Sequence, residues 1–244
     1  MIAGRWWLVG ASEGLGRALA QALSAEGAEL VLSARNAERL RDLAATLPGP
    51  ATVVPCDVRD QASVEAAAQA AGAVDGVIWM AGTYWPMRAQ DWDTARIESM
   101  IDVNLTGAAR VLGQVLPRMV ARGAGRVVIV GSLAGIRGLP GAVGYGASKA
   151  GLMSLAETLS ADLRGTGVRV QLVNPGFVKT RLTAQNDFPM PFLMEPEDAA
   201  RRICRHIEKG GFMADFPALF AAFFRLGRVL PQALWLRLVG GGSG

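Results

Sequence analysis

Histidine and cysteine are nearly absent from this 244-residue chain. With His206 as the one histidine, no multi-histidine metal site can be built. Cys56 and Cys204 lie far apart in no ligand-like spacing, which argues against a disulfide framework or zinc site and for a reducing compartment. Net charge is also small. At +4, with basic residues scattered rather than striped, it writes no nucleic-acid footprint. Long apolar runs are missing: Trp6-Trp7-Leu8-Val9 starts too early and is too short for a signal peptide. No internal repeat is present.

What the chain does have is hydrophobic residues, 51% of the total, and 30 glycines. Its length suits one α/β domain with a large core. Short apolar runs meet glycine or small residues and give way to helical patterns. Strands are expected at Trp6–Val9, Leu30–Ser33, Thr52–Pro55, Gly76–Trp79, Val127–Val130 and Val168–Val173, with a last one within Gly211–Phe216. Helices are expected at Arg17–Ala25, Ala37–Leu47, Ser63–Ala71, Thr94–Arg122 and Tyr145–Leu163. Strands that are apolar on both faces and alternate with helices predict a Rossmann-type, doubly wound parallel sheet. Ligands of such sheets bind at the carboxyl ends of the strands, where Gly10, Arg35, Asp57, Gly82, Ser132 and Pro175 all fall.

The loop Gly10-Ala11-Ser12-Glu13-Gly14-Leu15-Gly16, set between a strand and a helix, reads as a phosphate cradle. Past the second strand stands Arg35, with no acid beside it. An arginine there would accept the 2′-phosphate of NADP(H), where an acid would bind the ribose of NAD(H). Glu13 opposes that preference if it points inward. Asp57 would accept from an adenine amine, or cap the following helix, or be solvated. Asn104 lies mid-helix among Ile101, Val103 and Leu105, which suggests burial with a purpose.

Ser132 ends a strand, and Tyr145 and Lys149 lie i, i+4 on one helix face. A phenol beside an ammonium should have a lowered pKa and exchange a proton with a substrate oxygen. Ser132 could donate to that same oxygen. On its own, the Tyr-x-x-x-Lys spacing would be an ordinary amphipathic pair.

Together these motifs resemble the short-chain dehydrogenase/reductase family, of the single-domain kind, over roughly residues 5 to 200. They are Gly10 to Gly16, Asp57-Val58, Ala81-Gly82, Val103-Asn104, Gly131-Ser132, Tyr145 to Lys149 and Asn174 to Thr180, in the family's order. The resemblance implies an NADP(H)-dependent oxidoreductase for a carbonyl or secondary alcohol. Tyr145 would be the acid/base. Lys149 would tune it and bind the nicotinamide ribose, Ser132 would orient the carbonyl, and Asn104 would hold a water in a proton relay. Cofactor contacts would come from Gly10, Ser12, Glu13, Gly14, Leu15, Gly16, Arg35, Asp57, Val58, Ala81, Gly82, Asn104, Tyr145 and Lys149. Pro175, Gly176, Val178 and Thr180 would hold the nicotinamide end. A homodimer or homotetramer through the 94–122 and 145–163 helices, in the cytoplasm, is the expected assembly. A non-catalytic dinucleotide sensor on the same fold is the alternative.

Three departures from the family pattern stand out. Val9 replaces a threonine before the glycine loop, and Met80 replaces an asparagine before Ala81-Gly82. The third is the end of the chain. The catalytic domain is expected over 1–216, an apolar helical extension over 217–239 and a flexible tail over 240–244. Arginines and Pro231 break the extension, so two short helices are expected, with charge-free runs well short of the ~18 residues of a spanning helix. They would pack or dimerise, ahead of lying on a membrane as part of a lipid ketone reductase with residues 218–238 as a peripheral contact. Phe188 to Met194, with Leu133, Leu139 and Phe177, should line a mostly apolar substrate pocket.

Overall fold

A computed structural model describes residues 2–240; the expected tail beyond Gly240 lies outside them. In chain order the strands are β1 (Arg5–Val9), β2 (Glu29–Ser33), β3 (Ala51–Val53), β4 (Gly76–Trp79), β5 (Gly125–Val130), β6 (Val168–Pro175) and β7 (Met213–Phe216). The helices are α1 (Gly14–Ala25), α2 (Ala37–Ala44), α3 (Gln61–Ala71), α4 (Thr94–Ile101), α5 (Gly107–Arg122), α6 (Val143–Asp162), α7 (Pro196–Lys209), α8 (Ala218–Val229) and α9 (Gln232–Val239). The strands form one parallel sheet in the order β3-β2-β1-β4-β5-β6-β7.

Alternation along the strands explains the three layers. Trp6 and Leu8 of β1 join one core with Leu19 and Leu23 of α1, Leu40 and Leu43 of α2, and Ile203 and Ile207 of α7. Trp7 and Val9 point the other way, into a core shared with α3, α5 and α6. Successive strand residues face opposite sides of the pleat, so a strand buried on both sides must be apolar throughout. The strand order reverses between β1 and β4. That switch point opens a crevice at the carboxyl ends of the strands.

The expected single helix from Thr94 to Arg122 is an unbroken rod with a different middle. Residues Asp102–Thr106 form a π turn between α4 and α5, and the Gly107 amide donates to the Asp102 carbonyl. The wider turn swings Asn104 into the interior, where it is fully buried. Asp57 does not cap α3; Asp60 does, accepting from the Ala62 amide.

The end of the chain folds back over the segment that follows β5. Phe224 of α8 and Trp235 of α9 pack on Leu133, with Leu139 and Phe220 alongside. The Arg137 guanidinium donates to the Gly227 and Leu230 carbonyls, to the latter at 2.9 Å, and lies 5.4 Å from the centre of the Trp235 ring. The Trp235 indole donates to the Gly138 carbonyl at 2.8 Å. Arg225 pairs with the Asp215 carboxylate at 2.6 Å, tying α8 to β7. No helix among the described residues is long and apolar enough to cross a membrane.

Candidate active site

A cleft of about 820 Å³ runs along the carboxyl edge of the sheet. Every expected site residue except Asn104 lines it, from Gly10 at the switch point to Thr180 beyond β6. At its floor the Gly10 and Ala11 amides both donate to the Ser33 carbonyl, at 2.7 and 3.1 Å, which sets the glycine loop against β2. Gly10 has φ +103°, and a Cβ there would lie 2.6 Å from the Ala81 nitrogen. A Cβ on Gly16 would lie 2.0 Å from the Gly10 carbonyl oxygen. Only glycine permits this approach of loop, helix and strand. No side chain caps the start of α1, so its first amides remain available to an anion.

At the far end of the cleft lie Arg35, Arg39 and Arg59. Glu13 does point into this region, but it is neutralised there. Its carboxylate pairs with Arg39 and with Arg181, each at 2.6 Å. Asp57 is likewise held by Arg59 at 2.7 Å, and that hydrogen bond keeps its carboxyl below the usual carboxylate range. Arg39, Arg59 and Arg181 join the cleft without having been expected there from the sequence. Arg39 lies in the first turn of α2, close in sequence to Arg35, which offered a signal; Arg181 is 168 residues from Glu13, and nothing local marks it.

Ser132, Tyr145 and Lys149 meet at the opposite end of the cleft. Burial pushes the Tyr145 phenol up, while hydrogen bonding with Ser132 acts in the other direction. Burial also lowers Lys149 to about 8. Its ammonium donates to the Val130 carbonyl at 3.0 Å and stands 5.7 Å from the centre of the Tyr145 ring. The expected lowering of the phenol by the ammonium is therefore not what the geometry produces. Lys149 turns toward β5, and desolvation dominates both groups.

Asn104 sits behind this cluster. Its amide donates to the Thr83 carbonyl and to the Ser148 hydroxyl, both at 3.0 Å, and its side-chain oxygen accepts from the Thr83 amide at 2.7 Å. The Trp79 indole donates to its main-chain carbonyl at 3.2 Å. What remains for a water is the carbonyl's other lone pair.

The second tyrosine of the chain was also missed. The Tyr84 ring lies edge-on to Tyr145, with centroids 4.9 Å apart. Its hydroxyl bonds the Asn186 side-chain oxygen at 2.9 Å. Asn186 belongs to a loop that leaves and rejoins the fold where Val178 bridges Met194. Phe188 and Phe192 of that loop stack toward Phe177 and Phe220, with centroids 6.0 and 5.9 Å apart. Together with Leu133 these residues form an apolar cluster, to which α8 contributes Phe220 and which meets the edge of the cleft at Gly176. Phe188, Leu133, Leu139 and Phe177 do not line the cleft itself, so the apolar pocket expected from them lies beside it rather than within it.

The short chain dehydrogenase family model matches residues 6–189 of the chain. An uncharacterized oxidoreductase of Myxococcus xanthus is 43% identical over 235 residues, covering 93% of each chain. Among solved structures, a short-chain dehydrogenase from Streptomyces avermitilis superposes with a TM-score of 0.85 at 26% identity, covering 99% of this chain and 100% of its own. Another, from Sphingobium yanoikuyae in complex with NADPH, gives 0.81 at 27% identity, covering 94% of this chain and 97% of its own.

Proposed function

The chain belongs to the short-chain dehydrogenase family of oxidoreductases, which use NAD(P)(H), and from that premise we propose that it is an NADP(H)-dependent reductase of apolar ketones or aldehydes with Tyr145 as the acid. The observation that carries this is the convergence of Ser132, Tyr145 and Lys149 on one end of a cleft whose other end is a glycine cradle lined by arginines. That cleft fits a dinucleotide: its turn excludes a Cβ, the α1 amides are uncapped, and Arg35 stands past β2. The neighbour that binds NADPH supports the phosphorylated form.

When bound, the nicotinamide supplies or takes up the hydride. The protein supplies position and proton. Ser132 donates to the substrate oxygen and stabilises charge as it develops there. A phenol whose pKa is raised by burial keeps its proton at neutral pH, so Tyr145 is set to deliver it to that oxygen in the reductive direction. Lys149, held against Val130, would bind the nicotinamide ribose. Asn104 fixes the Thr83 backbone and the Ser148 hydroxyl, and Ser148 in turn donates to the Tyr145 carbonyl at 2.8 Å. The apolar cluster of Leu133, Phe177, Phe188 and Phe220, which reaches the edge of the cleft at Gly176, supports an apolar substrate over a sugar or acid. Family relatives associate, and α4–α5 with α6 offer this chain the surfaces of a homo-oligomer.

A dinucleotide sensor has no use for a proton donor, yet the Tyr145 phenol stands beside Ser132. Replacing Tyr145 by Phe decides between the two readings. NADPH oxidation with an apolar ketone should fall by about two to four orders of magnitude while NADPH still binds. Equal turnover by the variant would refute the mechanism.

A further inference from the structure

Helix α8 is apolar on the side that faces the protein and on the side that faces away. Ala221, Phe224 and Gly227 are buried against the fold. Leu219, Leu226 and Val229 project outward, with 75, 63 and 77% of their surface exposed, and Phe223 lies beside them. Helix α9 extends this surface with exposed Leu236 and Leu238. A helix at a water surface normally presents polar residues outward. An outward row of leucine, phenylalanine and valine signals a surface that some partner covers.

Charge identifies the partner. From Pro217 to Gly240 the chain has three arginines and no acidic residue. Arg225 is neutralised by Asp215, whereas Arg228 and Arg237 are exposed and have no ion pair among the described residues. A second copy of the same surface would bring two more uncompensated arginines and no carboxylate to pair with any of them. An anionic lipid surface satisfies both features: apolar side chains enter the acyl boundary while arginines meet the headgroups.

We infer that α8 and α9 form a docking surface for an anionic lipid bilayer, on which the protein lies without spanning it. The surface adjoins the active site. Phe220 on the inner side of α8 lies against Gly176 at the edge of the cleft, and its ring stacks on Phe177, 5.6 Å between centroids, and on Phe192. An apolar carbonyl compound dissolved in the bilayer then lies next to the apolar cluster that meets the cleft at Gly176. This last step rests on the function proposed above; the docking surface does not.

The test is flotation of the full chain with vesicles of phosphatidylcholine alone, or of equal parts phosphatidylcholine and phosphatidylglycerol. The protein should float with the anionic vesicles and stay behind with the neutral ones. Leu226→Glu with Val229→Glu should leave it in solution. Arg228→Gln and Arg237→Gln should each weaken binding about fivefold. All four positions are exposed, and retained NADPH binding shows that each variant is folded. Failure to float with either vesicle, equal flotation with both, or flotation that survives the two glutamates would overturn the inference. So would a wild-type dimer that ignores vesicles and that the glutamates split, which makes the surface a contact between copies. Turnover of a water-soluble ketone without vesicles is scored separately: a protein that floats but never reduces a ketone keeps the docking surface and loses the function.

Discussion

The rings of Tyr84 and Tyr145 meet edge to face, 4.9 Å between centroids, and through Tyr84 the proposed acid is connected to Asn186 in the loop between Val178 and Met194. One side chain thus both walls the acid and fastens the loop. Burial pushes the Tyr84 phenol up to about 12, so this fastening stays protonated across any practical assay pH.

Removing only the hydroxyl should therefore loosen the loop and leave the chemistry intact. For Tyr84→Phe we expect KM for an apolar ketone to rise about 3- to 10-fold, the value of one hydrogen bond, with kcat nearly unchanged. NADPH affinity should not move, and the effect should be the same at every assay pH. A fall in kcat at constant KM would place Tyr84 in proton transfer instead.

Arg35 should discriminate the cofactors. For Arg35→Ala we expect the Kd of NADPH to rise about 10- to 100-fold, the loss of charge-assisted hydrogen bonds, with NADH changed less than about threefold. Titration of each cofactor against protein fluorescence gives both values. Parallel losses would make Arg35 a surface charge.

Lys149 makes stability depend on pH. Its folded-state pKa of about 8 lies below the 10.5 of a free lysine, so between these values the unfolded chain binds more protons than the folded one. Wild-type stability should therefore rise from pH 8 toward pH 10.5, and the cost of burying the ammonium is carried in full below pH 8. That cost is of order 3 kcal/mol. Urea melts of wild type and Lys149→Met, compared at each pH, isolate it. The variant's advantage should be greatest at pH 7 and shrink as pH rises; a pH-independent difference would contradict the assignment.

Gly227 is where α8 meets α9. A Cβ there would lie 2.4 Å from the Trp235 ring. Gly227→Ala should displace the indole, cost about 1–3 kcal/mol and loosen the clasp formed by Arg137. Trypsin, cutting at Arg228 and Arg237, should then nick the variant faster than the wild type. Equal digestion would mean that the helices hold without that contact.

The sheet was legible because its strands are apolar on both faces, and that leaves an unmistakable pattern in residues such as Val127 to Val130. The Ser132, Tyr145 and Lys149 cluster was legible because strand ends of a parallel sheet converge. The bracing of the site was not. Glu13 meets Arg39 and Arg181 from different parts of the chain, and charged side chains at a cleft choose partners by proximity in space. The loss of a family asparagine side chain at Met80 was visible; the neighbouring Trp79, whose indole supports the Asn104 carbonyl, was not. Polar bonds from tryptophan are hidden in sequence because the ring reads as core. The two tail helices were expected around Pro231, but their seat on Leu133 depends on Arg137, some 90 residues away.

The π turn at Asp102–Thr106 makes the length of this rod, and not only its composition, a functional variable. One residue more than an α-helix needs is stored there, and α5 is rotated about its axis relative to α4 by roughly the 100° that one residue spans. Deleting a single residue within the turn would let the rod relax to a regular helix with every hydrophobic side chain still present. Asn104 would then lose its alignment with Thr83 and Ser148, and the two ends of the rod could no longer both face their neighbours. The cleft thus depends on a count of residues as well as on their identities, so insertions and deletions here should be tolerated far less than substitutions of like size.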